Sequence, residues 1–305
     1  MDKVVSFITT PIVYHGPGAL KTLNDEIKKY NAKRIGIITD QGIVSSGIFD
    51  TIADSSEGEV YSFQDVEPEP PATLVQKCTD HLRYKQCELI IGLGGGSPLD
   101  TAKMVAAMIN NTGTVTDYYG VNKIPNAGLP VIAIPTTAGT GSEASPAAIF
   151  IDDTDNTKKG VRCDHMIPKA AILAPELTVS LPQKITASTG MDALTHAIEC
   201  YTSNRANLMS DMVTERSIEL ISEHLPVAFS NGQRIDARYG MLMGSYLGGI
   251  SLVIANVGAV HGLAQTIGGK FKVPHGVANA MLLPYVMEWN RISCQKKYAK
   301  VAQLM

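Results

Sequence analysis

The chain has 305 residues, 45% hydrophobic and only 18% charged, with 27 glycines; the length suits two domains, and the composition excludes disordered, collagenous and coiled-coil proteins. Lys and Arg number 26 against 29 Asp and Glu, and with no long basic run a nucleic-acid partner is not expected; small molecules are. Five scattered cysteines, Cys78, Cys87, Cys163, Cys200 and Cys294, form no C-x-x-C pair and read as reduced thiols of a cytoplasmic protein. The opening segment carries acidic Asp2 and no long apolar core, and nothing later approaches eighteen uncharged apolar residues. Neither a signal peptide nor a membrane span is expected.

Along the chain, short apolar runs at 34–39, 59–63, 88–93 and 130–134 read as buried parallel strands. Between them, 72–84 and 99–109 space their apolar residues three and four apart, as crossover helices do. The alternation predicts a doubly wound α/β sheet. Asp152 to Thr157 reads as a hairpin tip, with a further strand near Ala170 to Leu173. After Pro182 the strand signals stop, and helical patterns follow at 186–202, 209–224, 237–255, 276–290 and 295–305. The predicted division is therefore 1–182, α/β, and 183–305, all-α. The last helix ends with no capping signal, so the chain is expected to stop short of its domain's natural end.

The segment ELIIGLGGGSPLDTAK, residues 88–103, is a strand, a glycine loop and a helix opened by Pro98. Consecutive glycines allow close backbone approach, and the free amides of a helix start favour an anion such as a pyrophosphate. Glycines needed only for a tight turn would look the same. The dinucleotide fingerprint is imperfect, because Ser97 replaces its final glycine and the strand-end acid, Asp40, precedes the glycines instead of following them by about 20 residues. A second loop of small and hydroxylic residues, Pro135 to Glu143, follows the next strand, where such sheets bind ligands.

In the helical half, Asp192 and His196 are four apart and share a helix face. His261 and His275 sit in Val-His-Gly and Pro-His-Gly contexts. One carboxylate and three imidazoles suit a divalent transition metal with a position left open for a substrate oxygen. The spacing alone does not separate this from unrelated capping or core histidines.

The surrounding motifs carry more. GLGGGSPLDTAK, IPTTAGTGSE, GMDALTHAIECY, VHGLAQTIGG and VPHGVANAMLLPYVMEWN, in this order, resemble the iron-activated (group III) alcohol dehydrogenases, lactaldehyde reductase/propanediol oxidoreductase-like, within the dehydroquinate synthase-like superfamily. The resemblance implies an α/β nucleotide-binding domain with a parallel sheet, an all-α metal-binding domain, a cleft between them, and a homodimer or higher homo-oligomer. It implies hydride transfer between NAD(H), or NADP, and a small alcohol or aldehyde, with Fe2+ or Zn2+ as metal. It assigns metal ligation to Asp192, His196, His261 and His275. Diphosphate contact falls to Gly95, Gly96 and Ser97 with Asp100 beside them, further cofactor contact to Thr137 and Thr140, the adenosine ribose to Asp40, and the nicotinamide side to Lys159. Gln265, counted with Asp192, His196, His261 and His275 among the catalytic residues, stands where family members commonly carry a second histidine, so the proton must be relayed without an imidazole there. The rival readings are a dehydroquinate synthase-like lyase, whose phosphorylated substrate would ask for Lys and Arg around the metal motifs, and an inactive nucleotide-binding protein. His15, His81, His165 and His224 are expected to be surface or structural, Cys200 a buried inert thiol, and Trp289, Met241 and Met243 core.

Overall fold

The structure, a computed structural model, describes residues 4–305; Asp2 lies outside them. The chain forms two units, one of Thr10–Thr136 with Ser142–Leu177, the other of the segment ending at Thr9, Thr137–Gly141 and Thr178–Met305.

In the first unit the elements run β1 (Ile12–His15), α1 (Leu23–Lys28), β2 (Arg34–Ile38), α2 (Gln41–Ser45), α3 (Ile48–Ser55), β3 (Glu59–Phe63), α4 (Ala72–Tyr84), β4 (Leu89–Gly94), α5 (Gly96–Ile109), β5 (Gly120–Val121), β6 (Val131–Pro135), β7 (Ala147–Ile151), β8 (Lys158–Arg162) and β9 (Ala170–Leu173). Six strands make one wholly parallel sheet in the order β1-β9-β6-β4-β2-β3. Such a sheet is buried on both faces, which explains the unbroken apolar runs. Ile35, Ile37, Leu89, Ile91, Leu93, Ile132 and Ile134 pack into a core on one face. The alternate residues Ile38, Ile90 and Val131 join a second core with Val75, Leu82, Met104 and Val105 of α4 and α5. The expected hairpin tip at 152–157 joins β7 to β8, which pair antiparallel and with β5 form a small second sheet.

From β2 the chain passes to β3 on one side and then to β4 on the other. The strand order therefore reverses between β2 and β4, where open α/β sheets form a ligand crevice at their carboxyl ends. Thr39 and Asp40 follow β2, and Gly95 follows β4.

The second unit is helical: α6 (Gln183–Thr202), α7 (Leu208–Ser230), α8 (Ile235–Ala255), α9 (Ala259–Phe271) and α10 (His275–Leu304). Asn207 caps α7 by accepting from the amides of Met209 at 3.0 Å and Ser210 at 3.3 Å, and Ser210 Oγ returns a bond to the Asn207 amide, closing a capping box. Helix α8 turns Gly240, Gly244 and Gly248 toward His224, Ile221 and Ser217 of α7, so the two helices meet closely. Gly139 and Gly141 likewise lie against Thr189 of α6 and Gly249 of α8, which seats the loop Thr137–Gly141 on the helices. Helix α10 joins the two helices expected at 276–290 and 295–305 through a kink at Cys294, whose φ is −119° and ψ 16°.

One core expectation is corrected. Met241 is buried and Met243 half-buried, but Trp289 is 87% exposed. It sits on a stripe of α10 with Val277, Met281, Tyr285 and Ile292, residues spaced so that they share one face pointing away from the core. Among the described residues no single helix is long and apolar enough to cross a membrane.

Candidate metal centre and nucleotide site

Helix α6 presents Asp192, His196 and Glu199 at positions i, i+4 and i+7, one face of the helix, and all three are buried. His261 enters from the first turn of α9, and His275 from the start of α10. Oxygen of Asp192 and ring nitrogens of His261 and His275 all lie within 4.8 Å of one another; Asp192 Oδ1 is 3.6 Å from each imidazole Nε2. His196 stacks on His261, ring centroids 4.4 Å apart and planes 22° from parallel, so it adjoins these three atoms without being one of them.

Gly276 is what lets α10 start so close to α6. A Cβ there would meet Ser188 O at 2.0 Å and Asp192 Cβ at 3.4 Å. Behind the site, Glu199 accepts from the Val260 amide at 2.7 Å and the His261 amide at 3.3 Å, and its Oε2 lies 2.6 Å from His261 Nδ1.

Burial alone would raise the Asp192 carboxyl; His196, His261 and His275 overcome it and hold the group well below the ordinary carboxylate range. Burial pushes His196 down to about 4, against the pull of Asp192. It would lower His261 as well, but hydrogen bonds to Asp192 and Glu199 raise that ring to about 9. These directions leave Asp192 and Glu199 as carboxylates, the His261 ring protonated between them and His196 neutral.

Asn279, fully buried one turn after His275, places Nδ2 2.6 Å from Asp192 Oδ1 and 3.2 Å from Nε2 of both His261 and His275. An amide nitrogen only donates: it can satisfy Asp192, but a protonated His261 Nε2 offers it no lone pair, and its own Oδ1 is buried without a hydrogen bond. A largely buried point where a carboxylate and imidazole nitrogens converge, served by one mismatched amide, fits a divalent cation. Neither Glu199 nor Asn279 was singled out from the sequence; each follows a candidate ligand at helical spacing, at 196 + 3 and 275 + 4, and that spacing was the available signal.

Gln265 lies one turn after His261 on α9 and is exposed. Cys200 is buried, and burial pushes its thiol up to about 12, so the residue is an inert thiol.

In the other unit, Gly94 has φ +143°, and a Cβ there would meet Pro98 at 2.7 Å and stand 3.3 Å from Asp40 Oδ2. A side chain is excluded at that turn, and the same contact sets Asp40 beside the glycine loop. Asp40 caps α2, accepting from the Ile43 amide at 3.0 Å. Gly95, Gly96 and Ser97 form the half-exposed start of α5; Ser97 Oγ accepts from the Glu69 amide at 3.2 Å. Asp100 is engaged by Ser142 Oγ, by the Ile149 amide at 2.9 Å and by Lys103 Nζ at 3.0 Å. The Lys103 ammonium, 1% exposed, also donates to the carbonyls of Ser142, Ser145 and Ala147. Asp100 and Lys103 thus hold the loop after β6 to α5. Lys159 pairs with Asp152 at 2.7 Å and Asp155 at 2.8 Å on its own hairpin. Thr137 and Thr140 lie half-buried in the loop of the helical unit.

A doubly wound sheet with a glycine loop at its switch point, joined in one chain to a helical unit bearing a buried carboxylate–imidazole cluster, defines a metal- and nucleotide-using enzyme. Residues 10–175 match the family model of iron-containing alcohol dehydrogenase, and residues 186–305 that of the Fe-containing alcohol dehydrogenase family, C-terminal. The chain is 42% identical over 305 residues to long-chain-alcohol dehydrogenase 1 of Geobacillus thermodenitrificans (strain NG80-2), an alignment covering 98% of this chain and 77% of that protein. It is 35% identical to the NAD-dependent methanol dehydrogenase of Bacillus methanolicus, covering 99% and 80%. The crystal structure of a 1,3-propanediol oxidoreductase superposes with TM-score 0.96 at 34% identity, covering 99% of this chain and 80% of that one. The chain belongs to the iron-containing alcohol dehydrogenase family, oxidoreductases that act on alcohols and aldehydes with NAD(H) and Fe2+. Membership favours the dehydrogenase reading over the lyase.

Proposed function

We propose that Asp192, His196, His261 and His275 hold the metal, with Zn2+ as an alternative to Fe2+, and that residues 1–182 form the nucleotide domain and 183–305 the metal domain. Gly95, Gly96 and Ser97 take the diphosphate beside Asp100, Asp40 takes the adenosine ribose, Thr137 and Thr140 add cofactor contacts, and Lys159 serves the nicotinamide side. The preferred cofactor is NAD over NADP, and the enzyme works in the cytoplasm as a homodimer or higher homo-oligomer.

The observation that carries this reading is the convergence of buried Asp192 and His261 with half-buried His275 on one point. A bound divalent ion supplies Lewis acidity toward a substrate oxygen, and hydride exchange is the chemistry of the nicotinamide. Asp192 brings a permanent negative charge, since its carboxyl is held ionised. The low proton affinity of His196 keeps a ring lone pair free at neutral pH. Asp192, His196 and His261 are all buried, which limits water at their side of the cluster. Gln265 can orient a water or an alcohol by hydrogen bonding, but its amide cannot take up and release a proton near neutral pH.

The test is to strip the chain of metal and follow NADH turnover over a panel of alcohols and aldehydes as Fe2+ or Zn2+ is restored. Asp192→Ala, His196→Ala, His261→Ala and His275→Ala should each lose metal and turnover while still binding NAD. Full metal occupancy in any one variant removes that residue from the set.

A further inference from the structure

We infer that Glu199 is the positioning residue of the metal centre: it grips Nδ1 of His261 and so turns Nε2 toward the metal. The inference rests on the ligand assignment proposed above.

A histidine ligand has two nitrogens, and which one reaches the ion is decided by what the other is bonded to. His261 Nδ1 lies 2.6 Å from Glu199 Oε2, within the range of a charge-assisted hydrogen bond. Its Nε2 is the nitrogen that faces Asp192 Oδ1, at 3.6 Å, and the Asn279 amide, at 3.2 Å. A carboxylate can only accept, so contact with Glu199 fixes a proton on Nδ1 and leaves Nε2 as the atom with a lone pair to give once its own proton is displaced.

The carboxylate is itself held. It accepts the Val260 and His261 amides, which belong to the otherwise unsatisfied first turn of α9, so Glu199 aims the backbone that carries the histidine as well as the ring. Gly258 makes room for this: a Cβ there would stand 2.8 Å from Glu199 Oε1. Glu199 and His261 are 6% and 3% exposed, so water does not compete for these bonds. Because Asp192, His196 and Glu199 share one face of α6, a single rigid helix carries two of the assigned ligands together with the group that orients a third.

The test compares Co2+ binding to the metal-stripped full chain, by chelator competition, among the native protein, Glu199→Ala, Glu199→Gln and, as a ligand control, His275→Ala. Loss of such an outer partner weakens metal binding by about 10- to 100-fold. Glu199→Ala should reach that range. Glu199→Gln keeps the shape but must turn an N–H toward either Nδ1 or the Val260 amide, so it should weaken Co2+ by roughly tenfold while lowering the melting temperature of the metal-free protein less than Glu199→Ala does. Both variants should also shift the visible Co2+ absorption bands, which report the geometry of the ion and not the stability of the fold. Co2+ affinity within twofold of native, with superimposable bands, in a Glu199→Gln protein while His275→Ala loses the ion would overturn the positioning role and leave the ligand assignment standing. Native Co2+ binding by His275→Ala would remove the ligand assignment and this inference with it.

Discussion

Two carboxylates in the first unit have consequences that can be measured one residue at a time. Asp40 stands beside Gly94 at the switch point of the sheet, where a carboxylate accepts from a ribose hydroxyl and repels a 2′-phosphate. Asp40→Gly should therefore narrow the preference for NAD over NADP by roughly tenfold or more, the effect of about 1.4 kcal/mol of relieved repulsion. Equal native kcat/KM with the two cofactors would show that Asp40 does not face the ribose. Glu143, 2% exposed at the end of the second loop, is pushed up by burial to about 7, with Lys103 pulling the other way. Its folded-state value lies above the unfolded one, so the folded chain keeps a proton that the unfolded chain gives up. Stability should fall as pH rises from about 4.5 to 7 and then level, by roughly 3 kcal/mol at most. Glu143→Gln removes that titration. Its melting temperature should pull ahead of the native value across this window and hold a constant lead above it, whereas parallel curves would mean that Glu143 ionises freely in the folded protein.

The long parallel strands could be read from the sequence because burial on both faces leaves a run of apolar residues, as at Ile35–Ile38 and Leu89–Leu93. Strands β1 and β8 could not, since Ile12–His15 and Lys158–Arg162 mix polar and apolar residues and take their structure from their neighbours, and the β7–β8 hairpin showed in the sequence only through its turn at Asp152–Thr157. Asp192 and His196 were found because i, i+4 pairing is visible in one helix. Glu199 and Asn279 remained hidden, although on the right faces, because a Glu or Asn in a helix is usually just solvated and only the meeting of α6, α9 and α10 gives these a partner. That meeting depends on glycine in one place more than another. Gly276→Ala would drive a Cβ into Ser188 O and push the start of α10, with His275, off Asp192. A loss of about 1–3 kcal/mol of stability and at least roughly tenfold weaker metal binding are expected. Gly262, next to His261, has nothing within 4 Å of its added Cβ; Gly262→Ala should bind metal as the native chain does and gain up to about 1 kcal/mol from helix propensity. Equal behaviour of the two variants in metal titration would show that the contact at α6 does not set the site.

For the molecule as a whole, a feature without a counterpart inside the fold is the stripe on α10, where Met281, Tyr285, Trp289 and Ile292 are 64%, 77%, 87% and 83% exposed. A continuous apolar face of this kind drives association, and a net charge of only −3 offers little repulsion against it. The chain is therefore expected to self-associate as its concentration rises. Trp289 is its single tryptophan, so emission excited selectively from tryptophan reports on this face: it should resemble that of a water-exposed indole in dilute solution and move to shorter wavelength as copies cover the stripe. Tyr285→Lys with Trp289→Phe should suppress association, seen as a constant sedimentation coefficient over the same concentrations. The pair should cost no more than about 0.5 kcal/mol each in stability, because neither side chain is packed against the core. Emission that is independent of concentration, together with native sedimentation unchanged by the two substitutions, would show that the stripe stays solvated and that any assembly of the protein uses another surface.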